Sequence, residues 1–214
     1  MLARSLSRLE ARFTRIGQLF DERYRIRTLR GIDRLSRYHA LEGATSQAWQ
    51  NWCGFCRQVI VEACQGTSTI NGATVACIPM PPTAGRIAYV SKQLMAGSGI
   101  RVGKESLPHQ EPTWGDPLVC LEAVNYFRPG NSAALLVGLN LAYYAPEHLR
   151  TVRNATAHFS SSGIADVRRL SVYYRGQGFF HPLDILEWET KVSRENVFLV
   201  WLNDLKTMAF EMCQ

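Results

Sequence analysis

The sequence lacks an apolar run long enough to cross a membrane. A transmembrane helix needs roughly 18 apolar residues, whereas the longest such run, near residues 133–145, is interrupted by Gly138 and Asn140. The N-terminus has no small-residue cleavage site of a secretory signal. It is rich in Arg and Ser, as mitochondrial presequences are, but Glu10 and Asp21 are atypical of them. We therefore expect a protein that acts in the cytoplasm without a membrane partner.

The six cysteines show no pattern of a disulfide framework or of a zinc site. The chain is 46% apolar, and a chain that can bury a large core does not need disulfides to fold. The pair in WCGFC, residues 52–56, has no second Cys-x-x-Cys to complete a metal site. It also follows a helical pattern, whereas a thioredoxin-like redox motif follows a strand. We therefore expect no metal, no cofactor and no redox chemistry.

Helical periodicity dominates the chain, and a strong alternating strand pattern is missing. The exception is residues 69–78, where Asn-Gly indicates a short hairpin. Elsewhere apolar residues recur at steps of three and four, which predicts an all-α helical bundle. The predicted helices cover residues 1–41 as one or two helices with Gly31 as the weak point, 42–65 before Gly66, 86–95, 117–127, 132–144, 146–159, 163–175 and 183–212.

We expect a single domain over residues 1–214 with two distinctive parts. Residues 1–41 form an arginine-rich helical arm. Residues 66–117 are rich in Pro, Gly, Ser and Thr, and they form an irregular middle segment. Because this segment is long for a connector, it is either an elaborated insertion or a mobile cover over a site.

Positive charge is concentrated in the arm. The formal net charge is +6, and residues 1–41 hold ten arginines against four acidic residues. This surplus favours a polyanionic partner, such as nucleic acid or an anionic membrane surface, over an acidic small molecule. A helix would place five of these arginines on one face, either as a plain solvated face or as an RNA-binding stripe: Arg23, Arg27, Arg30, Arg34 and Arg37.

An arginine followed five or six residues later by a histidine occurs three times, so the spacing alone carries little information. Residues 34–39 belong to the arginine stripe. Residues 175–181, RGQGFFH, are interpreted as a loop without fixed geometry because they contain two glycines. Residues 153–158, RNATAH, have a strongly helical setting and place Asn154 directly after the arginine. RNATAH is therefore the candidate site.

Helical geometry restricts how the side chains of RNATAH can cooperate. Asn154 and His158 are four residues apart and share a face, so the amide can orient the imidazole. Arg153 lies about 140° around the helix from His158. One helix therefore cannot aim both side chains at one atom unless they bend, but two copies facing each other across a symmetry axis can. The small residues at 155–157 allow another helix or backbone to approach closely.

RNATAH, together with the helical hairpin before it, resembles the signature of HEPN-domain ribonucleases, in which Arg and a polar residue precede His. The resemblance is strongest over residues 117–159 and leaves the arm and the middle segment unexplained. It implies a HEPN-like bundle in which Arg153 and His158 are the active pair and Asn154 is the polar neighbour. It also implies a homodimer with a composite site. Such proteins serve as toxins or antiviral defence effectors, which implies an antitoxin or regulatory protein as a further partner.

The residue types suit metal-independent cleavage of RNA. A base must remove the 2′-OH proton, a cation must stabilise the charged phosphorane, and an acid must protonate the leaving 5′-oxygen. Histidine serves as base or acid near neutral pH, and the arginine fork holds two phosphoryl oxygens. The expected products carry a 2′,3′-cyclic phosphate and a 5′-OH.

Two other interpretations use the same residues. In the first, Arg153 is a surface cation and His158 is a helix C-terminal histidine that complements the helix dipole. In the second, the chain is a non-catalytic HEPN-like helical module that binds a protein partner or a nucleotide. Both side chains then serve only binding or stability.

Overall fold

The computed structural model describes residues 1–24, 32–141, 144–176 and 178–214, with the side chains of all of these but residues 23, 24, 32 and 33. The described chain is mostly helical, which confirms the all-α class. The helices are α1 (Leu2–Tyr24), α2 (Ile32–Gln65), α3 (Ala84–Met95), α4 (Pro117–Phe127), α5 (Ser132–Leu141), α6 (Tyr144–Ala157), α7 (Ser161–Arg169) and α8 (Val197–Met212).

Short elements accompany the helices. Two antiparallel pairs form, one between the first two strands and one between the last two. The strands are β1 (Thr67–Ser68), β2 (Thr74–Val75), β3 (Tyr174–Arg175) and β4 (Glu189–Thr190). Turns of 3₁₀ helix occupy Pro108–Gln110, Leu170–Val172 and Pro182–Glu187.

α2 is one continuous helix of 34 residues. The sequence predicts a new helix from residue 42, and that start is wrong, because the helix begins ten residues earlier and runs through this point. Leu41 is buried, and the Thr45 hydroxyl donates to its carbonyl oxygen over 2.7 Å. The predicted end is confirmed, since Gly66 follows with a φ of 91°, a left-handed conformation that favours glycine.

The last helix is shorter than the sequence predicts. A helix over residues 183–212 is expected, whereas α8 begins at Val197. Upstream the chain forms a 3₁₀ turn and then β4, whose backbone pairs with β3. Asn196 sets the start of α8, because its Oδ1 accepts a hydrogen bond from the Leu199 N–H over 3.1 Å as an N-cap does. The predicted start at residue 183 is therefore wrong.

The other predicted elements agree more closely with the structure. The helix over 117–127 is confirmed with the same bounds, and the hairpin is confirmed as β1 and β2 around Gly72. α7 ends at Arg169 rather than at residue 175, because a 3₁₀ turn follows it directly. Gly31 lies outside the described residues.

The chain divides by its contacts into two compact units, each built from separate stretches of sequence. The first unit comprises Met1–Glu10, Asn51–Tyr143 and Lys206–Gln214, and the second comprises Ala11–Gln50 and Tyr144–Leu205.

The first unit holds most of the middle segment against α2. Trp52 is fully buried, and its indole N–H donates to the Gly115 carbonyl oxygen over 3.1 Å. Arg57 makes a two-point ion pair with Glu111 at 2.6 and 2.7 Å. The guanidinium of Arg57 lowers the pKa of Glu111, so this carboxylate stays charged. The Pro- and Gly-rich segment is thus tied to the helix by specific side-chain bonds.

The second unit carries RNATAH on α6. The apolar face of α1 contributes Phe13, Ile16 and Phe20, each no more than 3% exposed. The Phe20 ring packs on Phe198 of α8, with ring centroids 4.9 Å apart. α6 contributes Leu149, which is fully buried. This core fixes the inner face of α6 and leaves its outer face to solvent.

Candidate active site

RNATAH ends α6 and continues into the turn beyond it. Val152 and Ala155 face inward and are at most 2% exposed. Asn154 and His158 are exposed. The last residue of the helix is Ala157, and the His158 N–H still donates to the Asn154 carbonyl oxygen over 3.0 Å. The histidine therefore stands at the C-terminal end of α6, open to solvent.

Arg153 and Asn154 are joined by a side-chain hydrogen bond. Arg153 Nη1 donates to Asn154 Oδ1 over 3.0 Å. The helical spacing also allows the amide to orient His158, but among the residues that the structure describes the His158 side chain makes no hydrogen bond. α6 ends at Ala157, and the exposed His158 lies in the turn that follows. Within the described part of one chain, a side-chain hydrogen bond joins the arginine to the asparagine, and none joins either of them to the histidine.

One small residue of RNATAH packs against another helix of the same chain, and another stays exposed. Gly163, in the first turn of α7, approaches so closely that a Cβ added to it would lie 3.4 Å from the Ala155 Cβ. Ser160 caps this helix, because its Oγ accepts a hydrogen bond from the Gly163 N–H over 3.1 Å. Ala155 thus packs against α7, whereas Ala157 remains exposed.

A second histidine lies close to the end of RNATAH. Phe159 directly follows His158, and its ring centroid is 5.6 Å from that of His181. Tyr38 of α2 also packs on His181, with ring centroids 4.4 Å apart. The Tyr38 hydroxyl donates to Asp184 Oδ1 over 2.7 Å. These side chains form a polar and aromatic cluster that the sequence did not single out.

His181 has a fixed position, which corrects the interpretation of RGQGFFH as a loop without geometry. Its N–H and that of Phe180 each donate to Asp184 Oδ2 over 2.7 Å. Its Nδ1 accepts from the Leu183 N–H over 3.2 Å, so the neutral ring carries its proton on Nε2. Partial burial lowers the pKa of His181 in spite of the nearby Asp184 charge. The signal that could have found this is the three-residue spacing of His181 and Asp184, typical of a capping box.

The predicted arginine stripe lies only partly within the described residues. On α2, Arg34 is exposed, with its guanidinium carbon 5.8 Å from the centre of the Tyr38 ring. Arg37 is partly buried and ion-paired with Glu187, so its charge is already engaged. Arg23 is described by its backbone alone, and Arg27 and Arg30 lie outside the described residues.

Within residues 1–24, 32–141, 144–176 and 178–214, no group of three or more His, Cys, Asp or Glu side chains is arranged to hold a metal ion. No helix in those ranges is long and apolar enough to cross a membrane. In comparisons with known proteins, the chain matches no family model, no curated protein and no solved structure. The resemblance to HEPN-domain ribonucleases therefore rests on RNATAH and its helical setting.

Proposed function

We propose that the protein is a metal-independent endoribonuclease of the HEPN type, in which Arg153 and His158 act on RNA. The observation that carries the proposal is the placement of RNATAH. Asn154 and His158 are exposed at the end of α6, and the Asn154 amide holds the guanidinium of Arg153. A phosphate can therefore approach these side chains from solvent. The Arg153 guanidinium that would bind it is already held by the Asn154 amide.

In the proposed reaction, the His158 imidazole removes the proton of a ribose 2′-OH. The 2′-oxygen attacks the adjacent phosphorus, and the bond from that phosphorus to the 5′-oxygen breaks. The Arg153 guanidinium stabilises the charge on the phosphoryl oxygens. A second histidine, protonated beforehand, gives its proton to the leaving oxygen. The products are a 2′,3′-cyclic phosphate and a 5′-OH.

A homodimer supplies the second histidine. The reaction uses a base and an acid on opposite sides of the phosphorus, whereas RNATAH offers one histidine for each chain. Within the described part of one chain, no side-chain hydrogen bond joins Arg153 to His158, so the arginine of one copy is proposed to act with the histidine of the other. Exposed Ala157 leaves room for α6 of a second copy. We therefore propose a composite site built by two facing RNATAH segments.

The proposed cellular role is that of a cytoplasmic toxin or antiviral defence effector, restrained by an antitoxin or regulatory protein. This role follows the resemblance of RNATAH to the HEPN signature. Arg34, exposed on α2, is the member of the arginine stripe best suited to guide RNA electrostatically, because Arg37 is already paired.

The test is RNA cleavage by the purified protein in the presence of a chelator. Wild type is expected to cut, and His158→Ala and Arg153→Ala are each expected to cut at least about 100-fold more slowly. His109→Ala is the matched control, because His109 is also an exposed histidine but lies in the middle segment. Mass spectrometry of the cleaved ends should find cyclic phosphates. Unchanged cleavage by His158→Ala would refute the proposal.

A non-catalytic helical module is the second candidate, and one observation favours it. The amide that was expected to orient His158 binds Arg153 instead. An unoriented imidazole suits a surface that binds a protein partner or a nucleotide. RNA or nucleotide binding by wild type, with no cleavage in the same assay, would select this candidate.

A further inference from the structure

A cationic hollow lies in the second unit, beside the β3–β4 pair. Its volume is about 470 Å³, which is within the usual range of small-molecule sites. Arg175, Lys191 and Arg194 line it together with Ser171 and Trp188. Among the described residues that line the hollow, none is acidic. The hollow therefore presents three positive charges to a ligand.

The three cations are available for a ligand. Arg175 and Arg194 are exposed. Lys191 is held in place because its Nζ donates to the Val172 carbonyl oxygen over 2.7 Å, which leaves its other N–H groups unused. Glu189 stands opposite Arg175 in the strand pair. Nevertheless, within the described part of the chain no carboxylate is ion-paired with any of the three.

Arg194 has an unfavourable backbone conformation for a residue with a side chain. Its φ is 61°, a left-handed conformation that glycine adopts freely and other residues rarely adopt. The turn that contains it is closed by the Thr190 N–H, which donates to the Glu195 carbonyl oxygen over 2.9 Å. Strained residues of this kind cluster at ligand sites, where the surrounding structure holds them. Arg194 thus keeps a guanidinium in the hollow at a position where glycine would be less strained.

Trp188 and Gly176 form one wall of the hollow. Trp188 is 7% exposed, and its indole N–H is buried without an acceptor among the described residues. Gly176 lies directly against it, since a Cβ added to Gly176 would be 2.0 Å from Trp188 Cδ1. Because Gly176 covers the indole, a ligand in the hollow meets the wall that Trp188 and Gly176 form and not the N–H itself.

We infer that this hollow binds a phosphate group, carried by an RNA chain or by a free nucleotide. Two guanidinium forks and an ammonium match the charge and the oxygen geometry of phosphate. The exposed Ser171 hydroxyl adds a neutral donor. The site is separate from RNATAH in sequence, and binding requires no reaction at His158. The inference therefore goes beyond the proposed cleavage and does not depend on it.

The experiment measures ligand binding by the His158→Ala protein, so that RNA stays intact. The probes are a labelled single-stranded RNA, ATP and inorganic pyrophosphate. Arg194→Gly removes one cation from the hollow and relieves the left-handed backbone. We expect this variant to bind its preferred probe about tenfold more weakly while its thermal midpoint stays equal or rises. For RNA, the slope of log affinity against log salt should fall by about 0.7.

Arg15→Gln is the matched control, because it removes one exposed positive charge from α1. It should weaken binding by no more than about twofold, as expected for a screened charge that does not line the hollow. A loss confined to RNA identifies an RNA phosphate as the ligand, and a loss confined to ATP or pyrophosphate identifies a free phosphate compound. Equal effects of Arg194→Gly and Arg15→Gln, or no binding of any probe, overturn the inference. If binding of a probe depends on Arg194 but wild type does not cleave RNA, the ribonuclease proposal is wrong and the inference of a phosphate site stands.

Discussion

The Tyr174 hydroxyl is hydrogen-bonded to His148 Nδ1 over 2.6 Å inside the second unit. The same hydroxyl accepts one from the Trp201 indole N–H over 2.8 Å, which leaves its own proton free, and we assign that proton to the bond with His148 Nδ1. Burial lowers the pKa of His148 to about 4 and raises the pKa of Tyr174 to about 12. Both side chains are therefore uncharged at neutral pH, and the histidine is a structural acceptor.

Acid should destabilise the fold through His148. The unfolded chain takes up a proton here below the ordinary pKa of 6.5, whereas the folded chain does so only near 4. The neutral histidine therefore contributes stability that is present above pH 6.5 and lost as the pH falls to 4, by up to about 3 kcal/mol. Urea unfolding at intermediate pH values should show this loss in wild type.

His148→Gln provides the control for the acid effect. Its amide oxygen can still accept the Tyr174 hydrogen bond, but it does not titrate. Its free energy of unfolding should therefore fall less than that of wild type between pH 6.5 and 4. Parallel losses in the two proteins would show that other groups cause the acid sensitivity.

Gly138→Ala should destabilise the first unit. A Cβ at this position would lie 2.5 Å from Met212 Cγ and 2.7 Å from the Met208 carbonyl oxygen, and the backbone atom cannot move away cheaply. We expect a loss of about 1 to 3 kcal/mol in the free energy of unfolding, as for other overpacked cores. Chemical denaturation measures it.

Gly54→Ala is the matched substitution for Gly138→Ala. Gly54 is also helical, but a Cβ there would meet nothing within 4 Å. Because alanine is the better helix former, this variant should be more stable than wild type by up to about 1 kcal/mol. If both variants lose stability equally, the close packing at Gly138 is not the cause.

Local signals in the sequence predict part of this fold, and contacts between distant residues decide the rest. Gly66 ends α2 because of its own backbone freedom, so the sequence alone reveals it. The predicted helix from residue 183 fails because its first residues enter a 3₁₀ turn and a strand that pairs with β3. Apolar periodicity cannot show that pairing, since Tyr174 opposite Thr190 is fixed by tertiary structure.

The same division applies to the candidate site. The helical setting of RNATAH is readable from its spacing, and the exposure of Asn154 follows from the buried face of α6. The hydrogen bond from Arg153 to Asn154 depends on the rotamers of two side chains, which the spacing does not fix. The fixed position of His181 depends on Asp184, which Tyr38 also contacts from 146 residues away. A motif search that reads only neighbouring residues misses this contact.

A bulky residue at position 157 should separate the proposed dimer. Ala157 is exposed at the end of α6, so Ala157→Trp should leave the free energy of unfolding within about 0.5 kcal/mol of wild type. It should nevertheless block close approach of a second RNATAH segment. We expect monomers by analytical ultracentrifugation and loss of RNA cleavage.

Ala165→Trp is the control for the dimer test, because Ala165 is an exposed alanine on α7. It should leave both the assembly and the cleavage rate unchanged. Full cleavage by a monomeric Ala157→Trp protein would rule out a composite site, even if RNATAH itself proved catalytic.

Asn154 should act on cleavage through Arg153. The amide oxygen holds the guanidinium over 3.0 Å, so Asn154→Ala leaves the cation free to adopt other rotamers. We expect kcat for RNA cleavage to fall about tenfold while KM changes little, because the lost interaction is preorganisation for the transition state. Asn154→Asp keeps an acceptor for Arg153 but adds a charge that repels phosphate, so it should raise KM.

Asn125→Ala is the reference for Asn154→Ala, since Asn125 is an exposed asparagine on α4. It should leave kcat and KM unchanged. If His158→Ala abolishes cleavage while Asn154→Ala leaves kcat intact, Arg153 does not need the amide to meet the phosphate. The hydrogen bond would then belong to the resting protein, and RNA binding itself would have to position the guanidinium.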